Sequence, residues 1–284
     1  MSSLSHKGFV MSSLAKKIYQ LRGLGFALLL TPYLQADPSW KPELSSPLPG
    51  TFPRPAPTFL TFQVSWNGTV DAGTIRIEFA PPDVKKAGSY LIRSSAASHG
   101  AAALLFPYRT HFWSELATTN LSPQFFHAVE TDRRETVTTT VRHFPSRVES
   151  QEITQQLKTG VSEQTDRVFE WSPVFDLFSA MLHVRSQKLA PGDTITLVIH
   201  PFDTPYLLRV KVLGREVHQG RNTIRLTVGL RKINRKTSEL IAYKKLKQDA
   251  TLWLSDDADR LPVELRAAAF IGDVRATLVS LEKP

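Results

Sequence analysis

The residues of this chain most suggestive of chemistry lie near its C-terminus, in the stretch Leu252–Pro262, LWLSDDADRLP. Shortly after Trp253, three carboxylates, those of Asp256, Asp257 and Asp259, fall within four positions. Clustered carboxylates can bind a divalent cation or divide the acid and base roles of a hydrolysis. They can also form a polar turn between two strands, so the spacing must decide between these interpretations.

The spacing does not fit a known metal or catalytic motif. If Asp257 opened a calcium loop, Asp259 would fit, but Leu261 and Pro262 stand where an oxygen ligand and a glycine are required. Adjacent aspartates also point in different directions along a strand or tight turn, which makes them a poor acid–base pair. The sequence therefore favours a turn over an active site.

A turn gives these residues structural roles. Aspartate and serine side chains cap backbone N–H groups in turns, and proline is tolerated at the start of a strand. We therefore expect strands 251–255 and 261–270 to pair across an acidic turn that Arg260 neutralises, with Trp253 buried. The residues of this structural motif are Trp253, Asp256, Asp257, Arg260, Pro262 and Gly272. Along the second strand, alternation places Val263, Leu265, Ala267 and Ala269 on one face and Glu264 and Arg266 on the other.

Other catalytic signals are weak. The histidines show none of the spacings of zinc sites, and the sequence contains no nucleophile elbow, P-loop or dinucleotide-binding glycine motif. Cysteine is absent, which excludes disulfides and thiolate chemistry. No cofactor is expected, and an enzyme is the less favoured class. A hydrolase site assembled from dispersed residues stays open as an alternative, with His111, His127, Asp256 and Asp257 as its members.

The first 36 residues resemble an export signal. Lys16, Lys17 and Arg22 precede the uncharged stretch GLGFALLLTPYLQA, and Ala36 is a suitable last residue before cleavage. These 14 uncharged residues are fewer than the roughly 20 of a membrane-spanning helix. We predict export to the periplasm or the outer membrane. An uncleaved anchor, and translation from Met11 instead of Met1, remain open alternatives.

Positive charge is concentrated in one part of the chain. Residues 209–247 hold twelve Lys or Arg against two acids, whereas the signal carries four of the cations behind the formal net charge of +9. Such a region can contact an anionic polysaccharide or lipid, although a solvated loop is the simpler interpretation. With only Tyr243 interleaved, nucleic-acid binding is not expected. The residues proposed for this contact are Arg231, Lys232, Arg235, Lys236, Lys244, Lys245 and Lys247.

The remaining pattern is mostly β. Residues 37–57 contain seven prolines and predict an extended linker, followed by a single β-rich domain over residues 58–284. Short β-branched runs end near Gly, Pro, Asn or Asp, as strands of antiparallel meanders do. Residues 172–186 instead predict a helix that is apolar nearly all round, with Ser172 as its N-cap and Pro173 as its first residue. The predicted architecture is a curved antiparallel sheet or half-barrel with this helix buried.

Several segments together resemble a known family. Residues 252–282, LWLSDDADRLPVELRAAAFIGDVRATLVSLE, resemble the C-terminal signature of a bacterial exported domain-of-unknown-function family, number three-one-zero-eight, except that Leu252 replaces its usual valine. The sequences DAG at 71–73, FDLFSAMLHVRSQKLAPGD and VKVLGREV also fit, so that the resemblance spans about residues 58–284. It implies an envelope-associated β-rich domain without established activity or known catalytic residues. The final hairpin is more distantly similar to the lipoprotein-carrier half-barrel, which holds an acyl-binding cavity.

Three functions are compatible with this sequence. The first is a non-catalytic envelope protein that binds a hydrophobic or lipid-like ligand on its curved sheet. The second is an envelope interaction protein that contacts an anionic component through its basic region. The third is the hydrolase with the dispersed site.

Overall fold

One antiparallel sheet of fifteen strands dominates the computed structural model, which describes residues 37–81, 86–243, 247–269 and 272–284. The predicted signal in residues 1–36, together with Lys244 and Lys245, lies outside the described residues. Within the described part of the chain, no helix is long and apolar enough to cross a membrane. The mainly β fold class predicted from the sequence is confirmed.

The elements are short and closely spaced. The strands are β1 Thr58–Trp66, β2 Val70–Phe79, β3 Ser89–Ser98, β4 Arg109–Ala117, β5 Pro123–Thr131, β6 Glu135–His143, β7 Val148–Gln156, β8 Ser162–Phe169, β9 Thr194–Ile199, β10 Tyr206–His218, β11 Arg221–Ile233, β12 Leu240–Ala242, β13 Ala250–Ser255, β14 Pro262–Ala269 and β15 Gly272–Glu282. Two helices, α1 Gly100–Leu105 and α2 Leu177–Ser186, and a 3₁₀ turn at Lys41–Glu43 complete the described elements. The sequence pattern did not predict α1.

The strand order follows the chain except at one junction and at β12, which lies off the path so that β13 pairs with β11. It runs β8-β7-β6-β5-β4-β3-β2-β1-β15-β14-β13-β11-β10-β9, with β12 paired to β11. The junction is the pairing of β1 with β15, which joins the first strand to the last. The sheet is open, with β8 at one edge and β9 at the other.

The two edges of the sheet approach each other around α2. Phe169 at the end of β8 and Val198 in β9 belong to the same hydrophobic cluster, which also contains Phe178 of α2. An ion pair between Arg167 of β8 and Asp203, 2.7 Å long, adds a polar contact between the two ends of the strand order. The sheet therefore curves around the helix, as the sequence predicted.

Helix α2 begins four residues later than its predicted N-cap implies. Asp176 rather than Ser172 is the N-cap, because its carboxylate accepts from the Ser179 amide at 2.7 Å while the Ser179 hydroxyl accepts from the Asp176 amide at 2.8 Å. Phe175 is unavailable to the helix, since its amide donates to Val198 and its carbonyl accepts from His200 in β9 pairing. The predicted C-terminal end at Ser186 is confirmed.

The composition of the proline-rich segment predicts an extended linker, but the segment packs against the folded domain. Residues from Pro38 onward belong to the same compact unit as the sheet. Trp40 is 1% exposed, and its indole N–H donates to the Ser238 carbonyl at 2.7 Å. Ser45 forms hydrogen bonds with the backbone of Thr196 in edge strand β9. The segment therefore contributes to the core and covers part of an edge strand.

Candidate functional site

The acidic turn that opens the predicted motif is held by its own side chains. The Asp257 carboxylate accepts from the backbone amides of Asp259 and Arg260, at 3.0 and 2.9 Å, and from the Ser255 hydroxyl at 2.8 Å. Asp256 instead forms an ion pair with Arg215 at 2.8 Å. The predicted antiparallel pairing across this turn is confirmed, with Trp253 opposite Glu264. The aspartates therefore cap and pair locally.

The hydrogen bonds of Arg260 go to helix α2 rather than to the acidic side chains of the turn. Its guanidinium points to the C-terminal end of α2, where it donates to the carbonyls of Arg185 and Lys188, at 3.1 and 3.0 Å, and to that of Gln187. The last carbonyls of a helix have no partner within the helix, so a buried guanidinium is well suited to cap them. The ring of Phe52, from the proline-rich segment, lies 3.2 Å below this guanidinium.

Arg185 makes the reciprocal contact from the helix to the turn. It is 2% exposed, and its guanidinium donates to the carbonyl of Asp259, with an Nε–O distance of 2.9 Å, and to that of Pro53. Two buried arginines thus exchange hydrogen bonds between α2 and the turn, an arrangement that we call the helix–turn clamp (Arg185 and Arg260). The clamp gives Arg260 of the predicted motif a structural partner in α2.

The last two residues of the predicted motif shape the backbone. Pro262 pairs with Leu254 and begins β14, as predicted. Gly272 has a φ of +125°, and a Cβ atom built there would lie 2.4 Å from the indole nitrogen of Trp66. Only glycine fits this position without a shift of the neighbouring ring.

Trp253 is buried at 5% exposure, but among polar groups. Its ring stacks on His218, with centroids 4.1 Å apart, and its N–H donates to the Glu216 carboxylate at 2.6 Å. In strand order it lies beside Glu264, which is 1% exposed. Trp253 therefore lies on the outer face of the sheet, whereas Ile224 and Leu254 belong to the core on the other face.

Glu264 is a buried carboxylate with three hydrogen-bond donors. His218 Nε2 and Gln219 Nε2 lie 2.9 and 3.0 Å from one of its oxygens, and Arg266 donates to the other. Burial alone raises the pKa of Glu264, but the hydrogen bonds from Arg266, His218 and Gln219 outweigh it and hold the pKa below its ordinary value. Glu264 and Leu265 lie on opposite faces of β14, as the alternation predicts. Glu264 is enclosed by its partners, whereas Leu265 is 40% exposed.

Two substitutions test the structural role of this hairpin. Trp253→Ala should lower the free energy of unfolding by about 3 kcal/mol, at the low end for large aromatic truncations because its neighbours are polar and can be rehydrated. Asp257→Asn should cost about 1 kcal/mol or less, since the amide oxygen can still accept from the turn amides. Denaturant melts of both variants measure the difference. A larger loss for Asp257→Asn would contradict this assignment.

The inner face of the sheet, the face that packs against α2, carries a partly exposed apolar patch. One row of directly paired residues crosses it from Leu226 through Leu252, Leu265 and Ala276 to Val64. Leu226 is fully buried beside α2, whereas Leu265 is 40% exposed. We call the row from Leu252 onward, together with the neighbouring tryptophan, the inner-face patch: Val64, Trp66, Leu252, Leu265 and Ala276. Leu265 is exposed, and the other four side chains are partly buried.

Exposed side chains of α1 extend the inner-face patch. Trp66 lies edge-on to Phe106, with ring centroids 6.5 Å apart. Phe106 is 54% exposed, and Leu104 and Leu105 of α1 are exposed as well. Contiguous exposed apolar surface on a soluble domain commonly marks a binding site.

The predicted basic region is only partly available at the surface. Arg235 is turned inward, and its buried Nε and Nη2 find no hydrogen-bond acceptor within the described residues. Because these two nitrogens are inaccessible and the residue is partly buried, Arg235 offers less of its guanidinium to an external anion than an exposed arginine does. The described residues that remain exposed are Arg231, Lys232, Lys236 and Lys247.

The four residues of the dispersed hydrolase do not assemble. His111 and His127 lie in β4 and β5, whereas Asp256 and Asp257 lie in the turn after β13. Five strands separate β4 from β13 in the sheet order, and both aspartates already have local partners. Among the described residues, no group of three or more His, Asp or Glu side chains could hold a metal ion.

Sequence reasoning missed His218, Glu264 and the exposure of Leu265. The contact between His218 and Glu264 joins residues 46 positions apart and depends on the strand order. A glutamate flanked by Val263 and Leu265 within an apolar strand was the available signal, because a charge enclosed by a sheet needs partners on neighbouring strands.

Comparison with known proteins adds the family and the fold. A crystal structure of a β-barrel-like protein of another family of unknown function, from Brucella abortus, has a TM-score of 0.51 at 10% identity and covers 81% of this chain and 98% of its own. A Bacteroides fragilis protein assigned as exported, with a YmcC-like fold, has a TM-score of 0.33 at 5% identity and covers 83% and 100%. Comparison with the curated proteins finds no match. The model of a family described as proteins of unknown function, DUF3108, matches residues 61–279, and this chain belongs to that family.

Proposed function

We propose that this protein is an exported, non-catalytic component of the bacterial cell envelope that binds an apolar, lipid-like ligand at the inner-face patch. The observation that carries the proposal is Leu265, a leucine exposed on the face of the sheet that elsewhere packs against a buried helix. The predicted signal supports a location in the periplasm or at the outer membrane.

The patch has the composition of an apolar binding surface. Leu252, Leu265, Ala276 and Val64 lie directly opposite one another on four neighbouring strands, so their side chains form a continuous strip. Removing apolar surface of this kind from water contributes about 25 cal/mol for each Å², from which the costs of association are subtracted. Trp66 and the exposed end of α1 would border an extended acyl chain.

Binding of cis-parinaric acid, a fluorescent fatty acid, tests the proposal. The full chain should increase the fluorescence of the probe, and Leu265→Glu should weaken binding at least about tenfold, because a carboxylate would be placed against the acyl chain. Native mass spectrometry of protein purified from a periplasmic extract should also show a lipid adduct that organic solvent removes.

Val168→Glu is the matched control. Val168 is 47% exposed, but it alternates with Arg167 and Phe169 and therefore lies on the opposite face of its strand. This variant should bind the probe as the wild type does. Equal binding by the Leu265 variant, or a protein that never carries or accepts a lipid, would contradict the proposal.

We also propose a weaker contact with anionic polysaccharide or lipid through the exposed basic residues. Arg231, Lys232, Lys236 and Lys247 have no ion pair within the described residues, whereas Arg209 and Arg215 are paired with Glu43 and Asp256. Affinity for anionic vesicles should therefore fall steeply with salt. Binding that is insensitive to salt would oppose this second proposal.

A further inference from the structure

A polar pocket opens on the outer face of the sheet, the face opposite α2. Its volume is 570 Å³, and its lining includes Glu216, Arg225, Gln248, Asp249, Trp253 and Arg266. Arg225, Trp253 and Glu264 lie side by side on β11, β13 and β14, so the floor of the pocket is a rigid part of the sheet. None of the functions considered above uses this pocket.

The charged groups of the pocket are largely paired with one another. Arg266 is paired with Glu264 beneath it, and Arg225 lies 3.6 Å from Glu216. A ligand with a net charge would meet both signs of charge and would have to compete with one of these pairs. An apolar ligand would leave the same groups desolvated without compensation. The arrangement therefore discriminates against both classes.

The pocket nevertheless has both a hydrogen-bond donor and a hydrogen-bond acceptor that a ligand could use. The Arg225 side chain is 44% exposed, and its contact with Glu216 is a long one of 3.6 Å, so its guanidinium is a donor that a ligand can reach. Asp249 lines the pocket as an exposed acceptor that has no hydrogen bond or ion pair to the described residues. Gln248 adds an amide that can both donate and accept.

We infer that this pocket binds a neutral, polyhydroxylated ligand of the saccharide class. A hydroxyl group accepts one hydrogen bond and donates another, so it can join an arginine N–H to a carboxylate without breaking the existing ion pairs. Trp253 acts in this site by fixing His218 and Glu216, because both its ring and its N–H are already engaged. The inference is independent of the inner-face patch, which lies on the opposite face.

Titration calorimetry with neutral trisaccharides tests the inference. The full chain should bind at least one of maltotriose, cellotriose and chitotriose. Arg225→Gln and Asp249→Asn should each weaken that binding about tenfold or more, since each removes a charged hydrogen-bonding partner. Leu265→Glu should leave saccharide binding unchanged, which separates this site from the lipid site.

Arg76→Gln is the matched control. Arg76 lines a second outer-face pocket, of 460 Å³, together with Arg109 and His111, and its replacement should not alter saccharide binding. Absence of binding by all three trisaccharides would overturn the inference, provided that thermal melts show folded protein. It would also be overturned by wild-type affinity in both pocket variants, or by tighter binding of glycylglycine or inorganic phosphate than of any saccharide.

Discussion

Replacing Arg260 by alanine is expected to lower the free energy of unfolding by about 3–5 kcal/mol. The guanidinium donates to three carbonyls at the end of α2 and covers Phe52, so its removal leaves buried acceptors without a donor. It also leaves Arg185 as the only arginine of the helix–turn clamp. The loss should therefore be larger than that of any exposed ion pair in the same turn.

Three further variants make this prediction specific to the clamp. Arg260→Lys should recover part of the stability, because an ammonium keeps the charge but cannot span several carbonyls as a planar guanidinium does. Arg260→Gly should be less damaging than Arg260→Ala by about 0.5–1 kcal/mol, since Arg260 has a φ of +45° that alanine adopts with strain. Asp256→Asn, which affects only an exposed pair, should cost about 1 kcal/mol or less.

Urea denaturation, with one m value fitted to all four variants, measures the free energy of unfolding of each variant. If Arg260→Ala and Asp256→Asn are equally mild, the clamp does not hold the turn to the helix. If lysine restores the full stability, charge alone explains the effect and the multiple contacts do not.

Local structure could be predicted from local pattern. The order tryptophan, acidic turn, Leu-Pro predicted a hairpin, and the structure shows that Asp257 caps the turn that separates its strands. The all-round apolar stretch before Ser186 predicted a buried helix, because a helix without a polar face cannot lie at the surface. In both cases the residues that define the element are neighbours in the chain.

Contacts between distant segments could not be predicted in this way. Arg260 sits in the turn as a plausible neutralising cation, and only the position of α2 shows that it serves the helix instead. Phe175 has helix-compatible neighbours but is recruited by the exposed backbone of β9. The prolines around Trp40 predict an extended backbone, whereas the place where that backbone docks depends on the folded sheet.

The same limit applies to the candidate sites. Alternation along β14 assigns Glu264 and Leu265 to opposite faces, but it does not say which face is covered. Which face is covered depends on where α2 ends. It also depends on His218, at the end of β10, and on the following Gln219, which donate to Glu264. Both the inner-face patch and the polar pocket arise from this tertiary arrangement.

The second large effect is expected when the pH is lowered, which should reduce the free energy of unfolding. Burial and the neighbouring His200 lower the pKa of His143 to about 3, and burial lowers the pKa of His183 to about 4. Burial and the nearby Arg235 likewise lower the pKa of His200 to about 4, against a smaller opposing effect of Asp203. His183 faces the ring of Phe175 and the amide of Gln187, neither of which stabilises a charged imidazole as an anion would.

The direction in which stability changes with pH follows from the number of protons bound by the folded and the unfolded chain. Below about pH 6.5 the unfolded chain protonates these three histidines, whereas the folded chain protonates His183 and His200 only near pH 4 and His143 only near pH 3. Acid therefore favours the unfolded state, and stability is lost as the pH falls through this window. Each histidine contributes a slope of up to about 1.4 kcal/mol per pH unit, so the free energy of unfolding should fall by up to about 4 kcal/mol per unit.

Urea denaturation between about pH 7 and pH 4.5 measures this slope, in a range where most carboxylates remain ionised in both states. Replacing His200 by asparagine should remove about one third of the slope, because one of three titrating groups is lost. Replacing the exposed His111, which lies on the outer face in β4, should leave the slope unchanged and serves as the control. A free energy of unfolding that stays constant across this range would show that the buried histidines are protonated equally in both states, and the packing described around them would then be wrong.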